Sequence, residues 1–338
     1  MHAKTRTMGR SGIEVSALGL GCWAIGGPWY QGDQPLGWGK VDDDESIRAI
    51  RRGLELGVTL FDTADVYGTG HSERILARAL AGHRDEVVIA TKWGNTFDEQ
   101  SRQLTGVDPT PEYLRRAVTG SLRRLATDHI DLYQLHLNDL PISTAEDLLG
   151  TLEDLVAEGL IRAYGWSTDH ADRAEAWAVA GEHCTAIQHT LSVLQDAPEV
   201  LAVCERHDLA SINRGPLAMG LLTGKFTAES TLASDDVRGI APQWLDWFRD
   251  GRPAPEWLSR VAAVRETLTV GGRTLAQGAL GWIWARSGRT VPIPGFRTVA
   301  QVEQNAGALE HGPLPADRVA EVERLLAELR GGPDGAIG

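Results

Sequence analysis

Four side chains able to carry or stabilise a proton sit where three apolar runs end. Asp62 closes "VTLFD" (58–62), Tyr67 follows in the next loop, Lys92 closes "EVVIATK" (86–92) and His136 closes "IDLYQLH" (130–136). If these runs are adjacent parallel strands, a carboxylate, a phenol, an ammonium and an imidazole reach one mouth. An isolated buried lysine costs several kcal/mol, so Asp62 on the neighbouring strand is its natural partner. An ammonium beside a phenol favours phenolate, which predicts a Tyr67 pKa below its ordinary value of about 10. Such a phenol can donate a proton to a developing alkoxide near neutral pH, and His136 can hydrogen-bond the same oxygen. Each residue alone has a plainer reading: loop acid, loop tyrosine, solvated strand end, satisfied core histidine. Their joint placement at successive strand ends is what points to a reaction site.

The elements that would position them run through the whole chain. Further strand candidates are "ALGLG" (17–21), "AYGWS" (163–167), "TAIQHT" (185–190), "DLASIN" (208–213) and "TVPIP" (290–294). Most are continuous apolar runs, the pattern of strands covered on both faces. Helical stretches at 44–57, 110–126, 144–159, 171–181, 197–207, 273–287 and 298–309 fall between them. Thr110 followed by Pro111 reads as a helix start, and Gly57 and Gly159 as helix stops. Alternating strands and helices without a long linker predict an α/β fold, a (β/α)8 TIM barrel spanning 1–338 as one domain. Two segments break the rhythm, a Gly- and Trp-rich loop after strand 1 (22–41) and an insertion after strand 7 (223–272) with Trp244, Trp247 and Trp257. Both would rise from the face where such barrels build their sites.

Composition narrows the function. With 33 Lys and Arg against 46 Asp and Glu, the net charge is −13 and the pI about 5.2. That excess of acid argues against nucleic-acid or anionic-membrane surfaces. The three cysteines, Cys22, Cys184 and Cys204, show neither disulfide-framework nor metal-ligand spacing, so no metal is expected. No apolar leader and no run of 18 apolar residues is present, and a cytoplasmic location is the expectation. "GLGCWA" (19–24) satisfies the G-x-G-x-x-A spacing of a dinucleotide-binding turn, but it opens into "IGGPWYQGDQPLGWG", which cannot start the required helix.

The segments "FDTADVYG", "VVIATKWG", "DLYQLH", "GWST", "GLLTGKF" and "IPGFRTVAQVEQN" resemble, in order, the signature segments of the aldo-keto reductases, on the bacterial, channel-β-subunit-like branch. The resemblance covers nearly the whole chain and implies that Asp62, Tyr67, Lys92 and His136 form the catalytic tetrad, with Tyr67 the general acid. It implies NADPH (NADH being possible) as hydride donor to an aldehyde or ketone. By the same resemblance Gly21, Trp23 and Asp62 line the nicotinamide side, and Ser167, Thr168 and Gln188 face the carboxamide. Arg214, Gly215, Pro216, Leu217, Gly220 and Leu222 would lie along the pyrophosphate side with Lys225. Gly295, Arg297, Thr298, Gln301, Gln304 and Asn305 would hold the adenosine end, with Arg297 at a helix N-terminus as the 2′-phosphate ligand. Trp23, Trp29, Tyr67 and His136 would contact a small-molecule carbonyl substrate. Three positions depart from the family pattern: Thr168 replaces an asparagine, Arg214 a stacking tyrosine, and Gln304 an acidic residue. The departures at Arg214 and Thr168 keep open a redox-sensing subunit with slow turnover; a phosphate-binding isomerase without nicotinamide is the third reading.

Overall fold

The computed structural model describes residues 4–240, 242 and 244–331. Eight parallel strands form its central sheet: β1 (Gly19–Gly21), β2 (Leu60–Asp62), β3 (Val88–Trp93), β4 (Ile130–Leu135), β5 (Ile161–Ser167), β6 (Cys184–Thr190), β7 (Ala210–Arg214) and β8 (Thr290–Pro292). They are hydrogen-bonded in chain order. The ring is completed where the Gly21 N–H donates to the Pro294 carbonyl at 3.1 Å, beside a parallel bridge between Gly21 and Gly295. A Cβ on Gly21 would stand 2.7 Å from the Ile293 carbonyl oxygen, so this seam requires glycine. The fold is the expected (β/α)8 barrel.

Helices follow the strands: α1 (Asp43–Glu55), α2 (His71–Ala79), α3 (Pro111–Leu125), α4 (Leu149–Ala157), α5 (Ala171–Ala180) and α6 (Pro198–Arg206). Beyond β7 come α7 (Pro255–Leu268), α8 (Leu275–Arg286), α9 (Val299–Ala306) and α10 (Ala316–Gly331). Their starts are written locally. Thr110 caps α3 by accepting from the Tyr113 N–H, and Thr274 and Gln277 make a reciprocal capping box on α8.

Strand periodicity sorts the side chains into two layers. Leu60, Val88, Ala90, Leu132, Ala163 and Ala186 point inward and fill the barrel with small and medium side chains. Phe61, Ile89, Tyr133, Tyr164, Trp166 and Ile187, one residue out of step, pack outward under the helices. Successive strand residues face opposite sides, so residues 62, 92, 134, 167, 188 and 214 share the inward face.

Several elements differ from the sequence expectation. A hairpin of Thr5–Thr7 and Glu14–Ser16 precedes the barrel, and its Met8, Ile13 and Val15 join the interior cluster. The helix α2, which follows β2, is not among the expected helical stretches. The 223–272 insertion contains α7 and a short hairpin, Phe248–Arg249 with Arg252–Pro253. The 144–159 helix is broken into Ile142–Glu146 and α4. The loop after β1 is also structured: Tyr30–Gln31 pairs with Gln34–Pro35 and with Gln103–Val107, which pairs with Asn95–Asp98. The two long loops meet, the Val237 N–H donating to the Gly37 carbonyl at 2.8 Å. Among the described residues, no helix is long and apolar enough to cross a membrane.

Beneath the β2 loop lies a buried ionic cluster. Glu73 on α2, fully buried, accepts from Arg124 Nε at 2.6 Å and from the Thr91 hydroxyl at 2.7 Å. Removing one member of such a pair strands a charge without solvent. Arg124→Met should therefore destabilise by about 3–5 kcal/mol, whereas Arg115→Met, which cuts exposed pairs to Asp154 and Glu158, should cost under about 1 kcal/mol. Thermal unfolding of both variants checks the contrast.

Asp65 is buried beside this cluster, with Oδ1 unpartnered. Burial first, and then the nearby Glu73 charge, hold its carboxyl well above the ordinary 3.8. A raised folded-state pKa gives stability that is present below 3.8 and lost as pH rises through the folded value. Asp65→Asn should accordingly raise the melting temperature at pH 8 relative to wild type, and the gain should shrink toward pH 4; a gain independent of pH would contradict the assignment.

Candidate active site

The C-terminal ends of the strands open into one cleft of about 1550 Å³. At its base Lys92, wholly buried, directs its ammonium to three acceptors: Asp62 Oδ1 at 2.6 Å, the Thr63 carbonyl at 2.8 Å and the Tyr67 hydroxyl at 3.4 Å. An ammonium has three protons, so all are used. The Tyr67 oxygen accepts one of them, which leaves its own proton free to point into the cleft. Asp62 Oδ2 is held by two carboxamides, Gln134 Nε2 at 3.1 Å and Gln188 Nε2 at 2.7 Å. The buried carboxylate therefore has partners on both oxygens.

The backbone places Tyr67 above this pair. Gly68 adopts φ +60°, and a Cβ there would stand 1.8 Å from the Gly26 carbonyl oxygen, so the loops after β1 and β2 touch through bare backbone. Trp23, at the start of the first loop, lies parallel to the Tyr67 ring, with centroids 6.0 Å apart and planes at 22°. Its indole N–H donates to the Leu36 carbonyl at 3.1 Å. His136, the first residue after β4, meets Tyr67 edge-on at 5.8 Å.

Burial sets the protonation states. It raises the Tyr67 phenol above 10, and the opposing pull of Lys92 is the smaller effect. The expected lowering of Tyr67 is thus reversed: the ammonium acts in the anticipated direction, but burial outweighs it and the Asp62 charge opposes it as well. Burial, then Lys92 and Arg214, hold the His136 imidazole well below 6.5, so it is neutral at physiological pH.

Of the residues singled out in the sequence, Gly21, Trp23, Trp29, Ser167 and Gln188 border the cleft. So do Arg214, Gly215, Pro216, Leu217, Gly220 and Lys225, and, at the far end, Gly295, Arg297, Thr298, Gln301, Gln304 and Asn305. Two of the expected cofactor contacts are not brought there. Thr168 is one residue out of inward register; it is fully buried, and its hydroxyl donates to the Asn138 carbonyl at 2.9 Å. Leu222 packs in the outer core. The expected phosphate site at the start of α9 is already engaged: Val299 N–H donates to Glu45 Oε1 at 2.9 Å, and Thr298 accepts from the Gln301 N–H. Arg297 donates to the Trp38 carbonyl at 2.9 Å and to the Lys40 carbonyl, holding down the first loop.

Other contributors escaped the sequence analysis. Gln134 holds Asp62, and only its inward register, two residues before His136, could have signalled it. Asp169 pairs with Arg214 at 2.5 Å. Arg238, in the long insertion, is buried against Trp38 with its guanidinium carbon 4.2 Å from the ring centroid, and it pairs with Asp236. Desolvation, then the Arg238 charge, lower the Lys225 ammonium from 10.5; Asp236 opposes this, and Arg297 adds to it. Lys225 enters no ion pair among the described residues, although its ammonium lies over the Phe226 ring.

Comparison with known proteins agrees with this geometry. The family model described as "Aldo/keto reductase family" matches residues 17–327. Aldo-keto reductase YhdN of Bacillus subtilis (strain 168) is 34% identical over 297 residues, 87% of this chain and 85% of that protein. The solved glycerol dehydrogenase AKR11B4 from Gluconobacter oxydans superposes with a TM-score of 0.82 at 28% identity, covering 100% of this chain and 99% of its own. An aldo/keto reductase from Klebsiella pneumoniae, solved with NADP and acetate, gives 0.66 at 27% identity, covering 96% and 95%. The chain belongs to the aldo/keto reductase family.

Proposed function

We propose that the protein reduces small aldehydes or ketones to alcohols with NADPH, Tyr67 supplying the proton. The observation that carries this reading is the saturated Lys92 ammonium, which leaves the one phenol above it with its proton facing the cleft. A carbonyl oxygen seated between Tyr67 and His136 would receive hydrogen bonds from the phenol and from the neutral imidazole, both aimed where negative charge develops. When bound, the reduced nicotinamide supplies the hydride to the carbonyl carbon; the Tyr67 proton goes to the oxygen, giving the alcohol.

The residues present fit such a cofactor. Gln188 uses both amide protons, on Asp62 and on Gln134 Oε1 at 3.2 Å, so its own oxygen is left to accept from a carboxamide. Lys225, desolvated near Arg238 and Arg297 and without a paired carboxylate among the described residues, is a cation suited to a phosphate. Trp23, Trp29, Trp244 and Trp247 make the rest of the cleft an aromatic wall, which suits apolar or aromatic carbonyls over highly hydrated ones.

Tyr67→Phe removes the proton and keeps the ring. Carbonyl reduction should fall by about 10²–10⁴-fold while NADPH affinity, read by tryptophan fluorescence quenching, stays within about threefold. Turnover near that of wild type would refute the assigned donor.

A further inference from the structure

Resting on the cofactor reading above, we propose that Asp169, acting through Arg214, is a positioning residue that balances the affinity of the cleft for oxidised and reduced nicotinamide. In an eight-stranded ring β7 stands opposite β3, so Arg214, the last inward residue of β7, faces Lys92 and Tyr67 across the mouth. Its guanidinium is partly exposed to the cleft, with Nε buried and unpartnered. It is close enough for its charge to act on both Tyr67 and His136. Any ring placed to deliver a hydride beside Tyr67 therefore lies in the field of this cation. Loss of a hydride leaves a dihydropyridine ring one unit more positive, so a bare guanidinium would hold the reduced form more tightly than the oxidised one.

Asp169 cancels that bias. Its Oδ2 accepts from Arg214 Nη2 at 2.5 Å and its Oδ1 from the Thr190 N–H at 2.7 Å, while its own N–H donates to Asn138 Oδ1 at 2.9 Å. The carboxylate thus bridges the ends of β5, β6 and β7 and is fixed at both oxygens. Its position follows directly after Thr168, so of the two departures from the family pattern one, at 214, is a member of the ion pair and the other, at 168, adjoins it.

The test is a binding experiment. NADPH and NADP⁺ are titrated separately into wild type, Asp169→Asn, Arg214→Met and the double variant, with Kd read from tryptophan fluorescence. Asp169→Asn keeps an oxygen for the Thr190 N–H and removes only the charge. It should weaken NADP⁺ relative to NADPH by about tenfold, Arg214→Met should shift the ratio the other way, and the double variant should return within about threefold of wild type. Equal weakening of both forms by Asp169→Asn, or a double variant that does not restore the ratio, would overturn the inference and leave the reductase reading intact. A wild type that binds neither form would overturn that reading and this inference with it.

Discussion

A buried ion pair governs this molecule. Lys92 and Asp62 are both removed from solvent, and neither charge could stay there alone. The pair is tolerable because every proton of the ammonium and both oxygens of the carboxylate have partners, drawn from β2, β4, β6 and the loop after β2. The closed barrel is what allows this: inward positions from strands far apart in sequence converge on one small space. The same saturation leaves Tyr67 with a fixed hydrogen-bond donor below and a free proton above. Stability of the pair and chemistry of the phenol are one arrangement.

The cleft above depends on contacts between loops as much as on the strands. Gly26 meets Gly68, Val237 meets Gly37, Arg238 stacks on Trp38, and Arg297 holds the carbonyls of Trp38 and Lys40. The first loop is therefore fastened to the β2 loop, the long insertion and the β8 loop at once. Trp23 and Trp38 owe their edge-on contact at 5.5 Å to this fastening. The cleft is a walled aromatic space whose walls come from separate parts of the chain.

Much of this was legible in the sequence. Continuous apolar runs separated by capped amphipathic stretches are enough to specify parallel strands covered by helices, and the strand ends identify Asp62, Lys92 and His136. Strand register explains what went astray. Thr168 was grouped with Ser167, yet alternation alone turns it away from the mouth; Gln134 shares the inward face with His136 and was passed over. Other features were beyond local pattern. The small sheet joining Tyr30–Gln31 to Gln103–Val107 pairs segments some seventy residues apart, and no spacing rule marks it. The Asp169–Arg214 pair joins β5 to β7 across an intervening strand. The sign of the Tyr67 shift was misjudged because desolvation exceeds the pull of a neighbouring ammonium, which the Asp62 charge opposes as well.

The most direct measurement of the central claim, a protonated phenol beside a neutral imidazole, is the pH dependence of the hydride-transfer step observed in single turnovers of wild-type protein. With His136 held below 6.5 and Tyr67 above 10, neither group titrates between those values, and the rate should be flat across that window. A rate that falls with an apparent pKa inside the window would show that the donor is already ionised there, and would contradict the account.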